Sequence, residues 1–588
     1  MTDSMAGTGA SARLSRSMDR LHARVAGRTP VRGALSGRLE PSGVGSVALG
    51  RALVEGSFLL AGHAVRTRGR TIWDVAPPLA ELAEEGWRGA DPAFEAARHG
   101  FDWLPDLAAL GDEAAQDLAR DWTTGWMRRH GRGAGPGWSA GIAGRRVLAW
   151  IDHADFALGD EATAPGPLRA LERQAVFLRR RWRSAPPGPA RIDAAAGLLR
   201  AALVLGSLAP AVDSAAAGLA DAAGWIDAAG AIPSRRPEEL AVLLARLSAA
   251  VAALRAAGRP VPEGLEDAVD RGSGTLRGLR HADGGLGRFH GGGRGAPGLV
   301  DRALLDGGAR PRTRPLAMGY ARLKAGRTTV LVDAAPPPAG SGSAHASTLA
   351  LEVTSGRRPI VVSCGPGGPF GPAWRRAGRA TASHSTLDLD GLSSSRVAPG
   401  GGADAPLVEG PGEVRRERYA GPEGLSFKVS HDGWRQTHGL IHARELDLEP
   451  DGRRLAGEDT LAALTEEDVA RLDDALAGQA REGRGGGLLW RLRFHLHPDV
   501  EARILRGGVV ALALASGEVW RFEHDGAAEF GLEPSVYLDP LRGRPVRIDQ
   551  IVLSARSAGP VGRLRWSLTR EGEGGRRDHA PAFDEDLA

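Results

Sequence analysis

Two histidines stand just before alternating apolar runs: His345 before the run at 348–354, and His384 before STLDLD at 385–390. An imidazole can give or take a proton near neutral pH, so such a pair suits acid, base or charge-neutralising work. The same residues also serve as hydrogen-bonded strand ends, and the sequence leaves both roles open. Arg379 lies five residues before His384 and offers a planar fork for a carboxylate, with an internal salt bridge as the alternative. Tyr320 opens another run and is a candidate proton donor or a structural tyrosine. His495 and His497, in RFHLHP, alternate onto one strand face, but no third ligand is near them in sequence, so a metal pair is not expected. Cys364 is the only cysteine, which excludes an intramolecular disulfide and predicts a buried, inert thiol.

These groups need a scaffold, and 588 residues are too many for one ordinary core. With 42% hydrophobic and 25% charged residues the chain is globular. Its net charge is only +4, with arginines interleaved among acids and just two lysines, Lys324 and Lys428, so no nucleic-acid surface is expected. From residue 91 to about 280 the text is alanine- and leucine-rich with helical spacing. Helices are predicted at 104–129, 145–157, 168–182, 190–205, 212–228, 237–257 and 263–279. Seven or more helices with short connections imply antiparallel hairpins, stacked or closed into a toroid. Trp103, Trp122, Trp126, Trp138 and Trp150 are expected in its core, with stacking on sugar rings as the alternative. After Met318 the period becomes two, and about eleven short strands predict a stacked antiparallel β-sandwich. The charged stretch 461–480 reads as one exposed helix. The glycine-rich segment around 283–298 lacks the Gly-Lys-Ser/Thr end of a phosphate loop and reads as an ordered junction loop.

Several phrases, taken in order, resemble the heparinase II/III-like family, whose members are similar to polysaccharide lyases with an α/α toroid followed by an antiparallel sandwich. They are GYARLKAGRTTVLVDAAPPP at 319–338, AHASTLALEVTSG at 344–356, RATASHSTLDLDG at 379–391, SHDGW at 430–434, GED at 457–459, RFHLHP at 493–498, WRF at 520–522 and QIVLS at 550–554. Upstream, FDWLPDLAALG at 101–111, RRPEELAVLL at 235–244 and RHADGGLGRFHGG at 280–292 resemble the helical-domain phrases of proteobacterial members. The expected organisation is a flexible lead at 1–48, a toroid at 49–282, a Gly-rich junction at 283–317, a sandwich at 318–570 and a disordered tail at 571–588.

The resemblance implies β-elimination on a uronic-acid polysaccharide. Such chemistry needs a carboxylate neutraliser, a base for the carbon acid and an acid for the leaving oxygen. His345, His384 and Tyr320 are the implied catalytic candidates, and Arg379, His290 and Arg235 the implied substrate contacts. His290 stands where relatives look more like Asn, and Arg235 can instead pack a helix terminus. Two positions depart from the family pattern. The histidine expected before the Ser-Arg-x-Pro phrase is Ile232, which can neither donate a hydrogen bond nor move a proton. In members with a structural zinc the implied ligands fall at His345, at Ser363 in place of Asp, and at His384; serine is a poor zinc ligand, so no metal is expected, with a zinc held by the residual pair His345 and His384 as the alternative. The alternative is a glycan-binding protein that kept the fold without turnover. The partner is then an acidic polysaccharide, with no nucleic acid and no membrane insertion, and the oligomeric state is open. The resemblance implies the cell envelope, while the first thirty residues show no recognisable secretory signal, so the cytoplasm is the alternative.

Overall fold

The computed structural model describes all residues except 1–2, 33–34, 36, 38, 42, 68, 79–89, 160–164, 306–315 and 573–588. It divides into two compact units. The first holds residues 1–232, 239–274 and 295–312, and the second 233–238, 275–294 and 313–588.

The first unit is helical. Its helices are α1 (Asp3–Arg28), α2 (Val47–Val54), α3 (Pro92–Gly100), α4 (Leu104–Leu110), α5 (Glu113–His130), α6 (Ala140–Asp152), α7 (Ala154–Ala157), α8 (Pro165–Arg181), α9 (Pro189–Val204), α10 (Val212–Ala223), α11 (Pro237–Ala256), α12 (Glu263–Gly278) and α13 (Leu299–Leu305), with one hairpin, β1 (Ser57–Leu60) and β2 (His63–Arg66). Local chemistry sets the boundaries. Asp91 caps α3 ahead of Pro92, and Asp112 caps α5. The helix expected over 104–129 breaks in two because Gly111 adopts a left-handed conformation, the usual helix stop. Residues 3–28 are not the flexible lead expected from their polar text. They form α1, held to α8 and the turn after it by Asp19, which accepts from Arg181 Nε at 2.6 Å and Ser184 Oγ at 3.1 Å. The five tryptophans are buried. Trp126 packs edge-on to Trp150 with centroids 5.6 Å apart, and its Nε1–H donates to His99 Nδ1 at 3.0 Å. None is left to stack on a sugar.

The second unit is an antiparallel β-sandwich. Its strands are β3 (Leu316–Ala317), β4 (Tyr320–Ala325), β5 (Thr328–Asp333), β6 (Leu351–Ser355), β7 (Arg358–Val362), β8 (Leu387–Leu389), β9 (Arg396–Val397), β10 (Leu407–Glu409), β11 (Val414–Gly421), β12 (Gly424–Trp434), β13 (Leu440–Leu448), β14 (Arg454–Ala462), β15 (Leu488–Leu496), β16 (Val500–Ile504), β17 (Val510–Leu514), β18 (Val519–His524), β19 (Glu529–Tyr537), β20 (Val546–Ser557) and β21 (Val561–Arg570). One sheet runs β19-β20-β15-β7-β6-β5-β4-β3, with β8 also paired to β15; the other runs β11-β12-β13-β14-β21-β18-β17-β16. One apolar core joins them, drawing Val330, Val353, Trp490 and Ile551 from the first and Phe427, Leu446, Phe522 and Leu568 from the second. Alternation puts these side chains on the inner faces. Two short helices, α14 (Pro372–Gly378) and α15 (Arg435–His438), precede the charged helix α16 (Glu466–Arg481), which is started by a capping box between Thr465 and Asp468.

The fold is thus α+β and multidomain, with helical hairpins followed by an antiparallel sandwich. The Gly-rich segment is shared between the units at residue 295. Part of that junction, 306–315, and most of the expected tail lie outside the described residues.

Candidate functional site

The candidate site lies within the second unit. Four segments meet there: residues 233–238, the loop 281–294, the loop between β5 and β6, and the turn between α14 (Pro372–Gly378) and β8. Backbone hydrogen bonds register them. The amide of Ala346 donates to Arg379 O at 2.9 Å, that of Cys364 to Ser383 O at 2.9 Å, and that of Leu349 to Asp333 O at 2.8 Å. Arg235, His290, Met318 and Leu349 all have left-handed φ of 48–66°, a conformation that is costly for residues with a side chain and that collects at functional sites.

A chain of imidazoles forms the centre. His345 Nδ1 and His384 Nε2 are 3.1 Å apart, and His384 Nδ1 is 3.1 Å from Ser363 Oγ. The amide N–H of His345 donates to His290 Nδ1 at 3.1 Å, which puts the His290 proton on Nε2, 3.5 Å from Asp333 Oδ2. Asp333 also accepts from Ser347 Oγ at 2.7 Å and pairs with Arg235. All three histidines are buried. Burial, reinforced by nearby His384 and Arg379, pushes His345 well below the usual imidazole range. Burial and Arg235 do the same to His290, and burial with His495 takes His384 down to about 3. The three rings are therefore neutral at neutral pH. His384, held near 3 and bonded at both ring nitrogens, is a poor general acid and a weak base.

The other candidates hold backbone. Arg235 donates to the carbonyls of Met318 at 3.1 Å, Ala335 at 3.3 Å, Pro336 at 2.6 Å and Gly319 at 3.3 Å, besides its pair with Asp333. Among the described residues Arg379 is neither a free fork nor half of a salt bridge. Its three nitrogens donate to the carbonyls of Ala344 at 2.8 Å, Ala403 at 2.7 Å and Ala405 at 2.7 Å, so it clamps loops. The Tyr320 hydroxyl donates to Arg235 O at 2.6 Å, and burial raises its pKa well above the ordinary value. His290 is fully buried and acts through its bond to the His345 amide. His345 Nε2 remains. A Cβ placed on Gly291 would sit 3.4 Å from it, so the glycine leaves it room.

A zinc ion is not matched by these residues. Zinc sites need three or four ligands at about 2.0–2.3 Å. Here the facing nitrogens of His345 and His384 bond to each other and Ser363 meets the far nitrogen of His384. Among the described residues no three His, Cys, Asp or Glu side chains converge for a metal. Cys364 is buried on another cluster, 3.7 Å from both His495 Nδ1 and Ser535 Oγ.

Sequence reasoning passed over Asp333, Ser347 and Glu352. Asp333 ends a strand buried along its whole length, and Glu352 is a carboxylate inside another. A charge within an otherwise apolar strand is the signal that pointed to both. Glu352 accepts the amide protons of Arg288 and Ser363, each at 3.2 Å, so it sets the backbone beside the histidines.

Comparison with known proteins agrees with this architecture. Residues 308–567 match the family model "Heparinase II/III-like, C-terminal". FtsZ-localized protein C of Caulobacter vibrioides is 33% identical over 492 residues, covering 81% of this chain and 82% of that protein. The crystal structure of heparinase III superimposes with a TM-score of 0.64 at 13% identity, over 97% of this chain and 91% of that one. A heparan sulfate lyase from Pedobacter heparinus gives 0.55 at 14% identity, over 97% and 89%. At such identities the two lyases establish shared fold only. Among the described residues no helix is long and apolar enough to cross a membrane. Matched along the sandwich by the family model and along most of its length by a relative, the chain belongs to the heparinase II/III-like family.

Proposed function

We propose that this protein uses the lyase fold for binding rather than for β-elimination, and that its partner is FtsZ or an assembly containing it. One observation carries the first half: the groups that elimination would need are committed internally. Arg235, Arg379 and Tyr320 are spent on backbone carbonyls, the imidazoles of His345 and His384 bond to each other, His290 is bonded to the His345 amide, and Ile232 stands where a proton-moving residue was expected, which leaves only His345 Nε2 uncommitted. The second half rests on the 33% identity to FtsZ-localized protein C over four fifths of the chain.

Two assays test the proposal together. Incubation with a panel of uronic-acid polysaccharides, followed near 232 nm for the unsaturated product, should give a flat trace. Co-sedimentation with FtsZ polymers from the same species should carry the protein into the pellet. Turnover above the buffer rate would sink the first half; absence from the FtsZ pellet would sink the second. The space left for His345 Nε2 by Gly291 favours a second reading, a residual lyase acting on an acidic polysaccharide with His345 as base. Loss of the 232 nm signal in His345→Ala would identify it.

A further inference from the structure

The outer face of the second sheet carries a recess of about 450 Å3 that opens to solvent. Strand register builds it. Asp447 on β13 pairs with Ala456 on β14, Ala456 with Ser567 on β21, and Ser567 with Glu523 on β18, so the four side chains form one row across the sheet. Their chain neighbours Leu446, Leu455, Leu568 and Phe522 face the core, which turns the row outward. Its middle is small and its ends are carboxylates. Ala456 and Ser567 form the floor, and three strand spacings, about 14 Å, separate the backbones that carry Asp447 and Glu523.

The partners of the lining groups show what the recess would take. Five carboxylates line it, those of Glu445, Asp447, Glu458, Glu523 and Asp525, against the guanidiniums of Arg454 and Arg565. Three of the acids are engaged. Glu445 meets Lys428 Nζ at 2.9 Å, Glu458 takes Arg563 at 3.0 Å and Arg565 at 2.8 Å, and Asp525 accepts the amide protons of Arg565 at 2.9 Å and Ala527 at 3.1 Å. Asp447 has no ion pair among the described residues, and Glu523 has only Arg521, 3.8 Å away and shared with Glu571. Ser567 is a second and independent sign. It is 7% exposed, it lines the recess, and its hydroxyl has no hydrogen-bond partner among the described residues. Two uncompensated carboxylates on either side of a buried free hydroxyl select a positively charged donor. The same charge repels an acidic polysaccharide, so the recess is not a remnant of lyase chemistry.

We propose that this recess docks an extended basic segment of a protein partner, with a Lys or Arg side chain seated over Ser567 between Asp447 and Glu523. The aliphatic stem of that side chain lies along Ala456 while its head reaches the carboxylates. The assignment deepens the reading of the chain as a binding protein and rests on that reading for the identity of the partner.

Two probes of the full chain separate the surface from the partner. Fluorescence anisotropy with a labelled Gly-Ser peptide carrying several arginines, and with its counterpart carrying glutamates instead, reads the recess without FtsZ. The basic peptide should bind saturably and more weakly as salt rises, and the acidic one should not bind. Asp447→Lys/Glu523→Lys reverses both free charges at exposed positions and should weaken the basic peptide about tenfold or more. Glu467→Lys/Glu482→Lys makes the same charge change on and just after α16, outside the recess, and should leave the affinity nearly unchanged. In co-sedimentation with FtsZ polymers the recess variant should leave the pellet and the α16 variant should stay in it. No saturable binding of the basic peptide, or equal affinity in the two double variants, would overturn the recess as a basic-segment site. Retention of the recess variant in the FtsZ pellet would overturn it as the FtsZ contact while FtsZ binding itself stands. Peptide binding through the recess with the parent protein absent from the FtsZ pellet would support the recess and sink the FtsZ reading instead.

Discussion

Asp459→Asn should loosen the sandwich and the loop that carries His384. Asp459 is fully buried in β14. Its Oδ1 accepts from Arg444 Nε at 2.8 Å and lies 2.7 Å from His442 Nε2, and its Oδ2 accepts from Trp566 Nε1 at 2.9 Å. Arg444 is buried too, and its Nη1 donates to Leu349 O at 2.7 Å and Ser385 O at 3.1 Å, which ties one sheet to the residue after His384. Removing the carboxylate charge leaves this arginine without a counter-ion, a loss of about 3–5 kcal/mol. A second route gives a similar scale. Burial pushes the Asp459 carboxyl up, but Arg444 and His442 outweigh it and hold it at about 2 against an ordinary 3.8. Nearly two pKa units correspond to about 2–3 kcal/mol. Because the folded value is depressed, this stabilisation is complete above pH 4 and is lost as pH falls toward 2. Hydrogen exchange of the β13 and β14 amides reads the effect. Asp459→Asn should accelerate their global exchange about a hundredfold to a few thousandfold at neutral pH. The double variant Asp459→Leu/Arg444→Met should regain most of the protection, since it removes the orphaned charge. Exchange within fivefold of the parent in Asp459→Asn, or a double variant no better than the single, would refute the reasoning.

Further outcomes follow from the same geometry. Tyr320→Phe should lower stability by about 1 kcal/mol, through loss of the 2.6 Å bond to Arg235 O, and leave partner binding unchanged; a large binding defect would return Tyr320 to the functional list. Metal analysis of the purified protein should find no stoichiometric zinc, and prolonged dialysis against a chelator should leave the melting temperature unmoved; zinc near one per chain before dialysis, or a lowered melting temperature after it, would reveal a metal site. Gly457→Ala would place a methyl 2.2 Å from the Trp566 ring. It should cost about 1–3 kcal/mol and be seen as a lowered melting temperature, with an unchanged melt showing that the indole yields.

Much of this was legible in the residues. The change of period at Met318 marks the start of the sandwich text, and STLDLD and TTVLVD read correctly as strands near the site. What escaped was of two kinds. Strands such as β14 and β19 carry Gly457, Gly531 and Pro534, which read as turn text until a partner strand supplies the ladder. The loss of free groups at the site could not be read from residue types. Arg379 looks the same in sequence whether its fork faces a carboxylate or three carbonyls, and only the path of the 403–405 backbone decides. The departures at Ile232 and Ser363 were visible as single letters, but not that Ser363 would sit behind His384 as a hydrogen-bond partner.

The linked imidazoles have a consequence for how the site responds to its surroundings. Histidine ordinarily makes a surface sensitive to pH between 5 and 8. Burial disfavours the charged forms of all three, pushing His290 and His345 well below the ordinary imidazole value and His384 down to about 3. At neutral pH the cluster therefore presents contour and hydrogen bonding to its surroundings instead of charge.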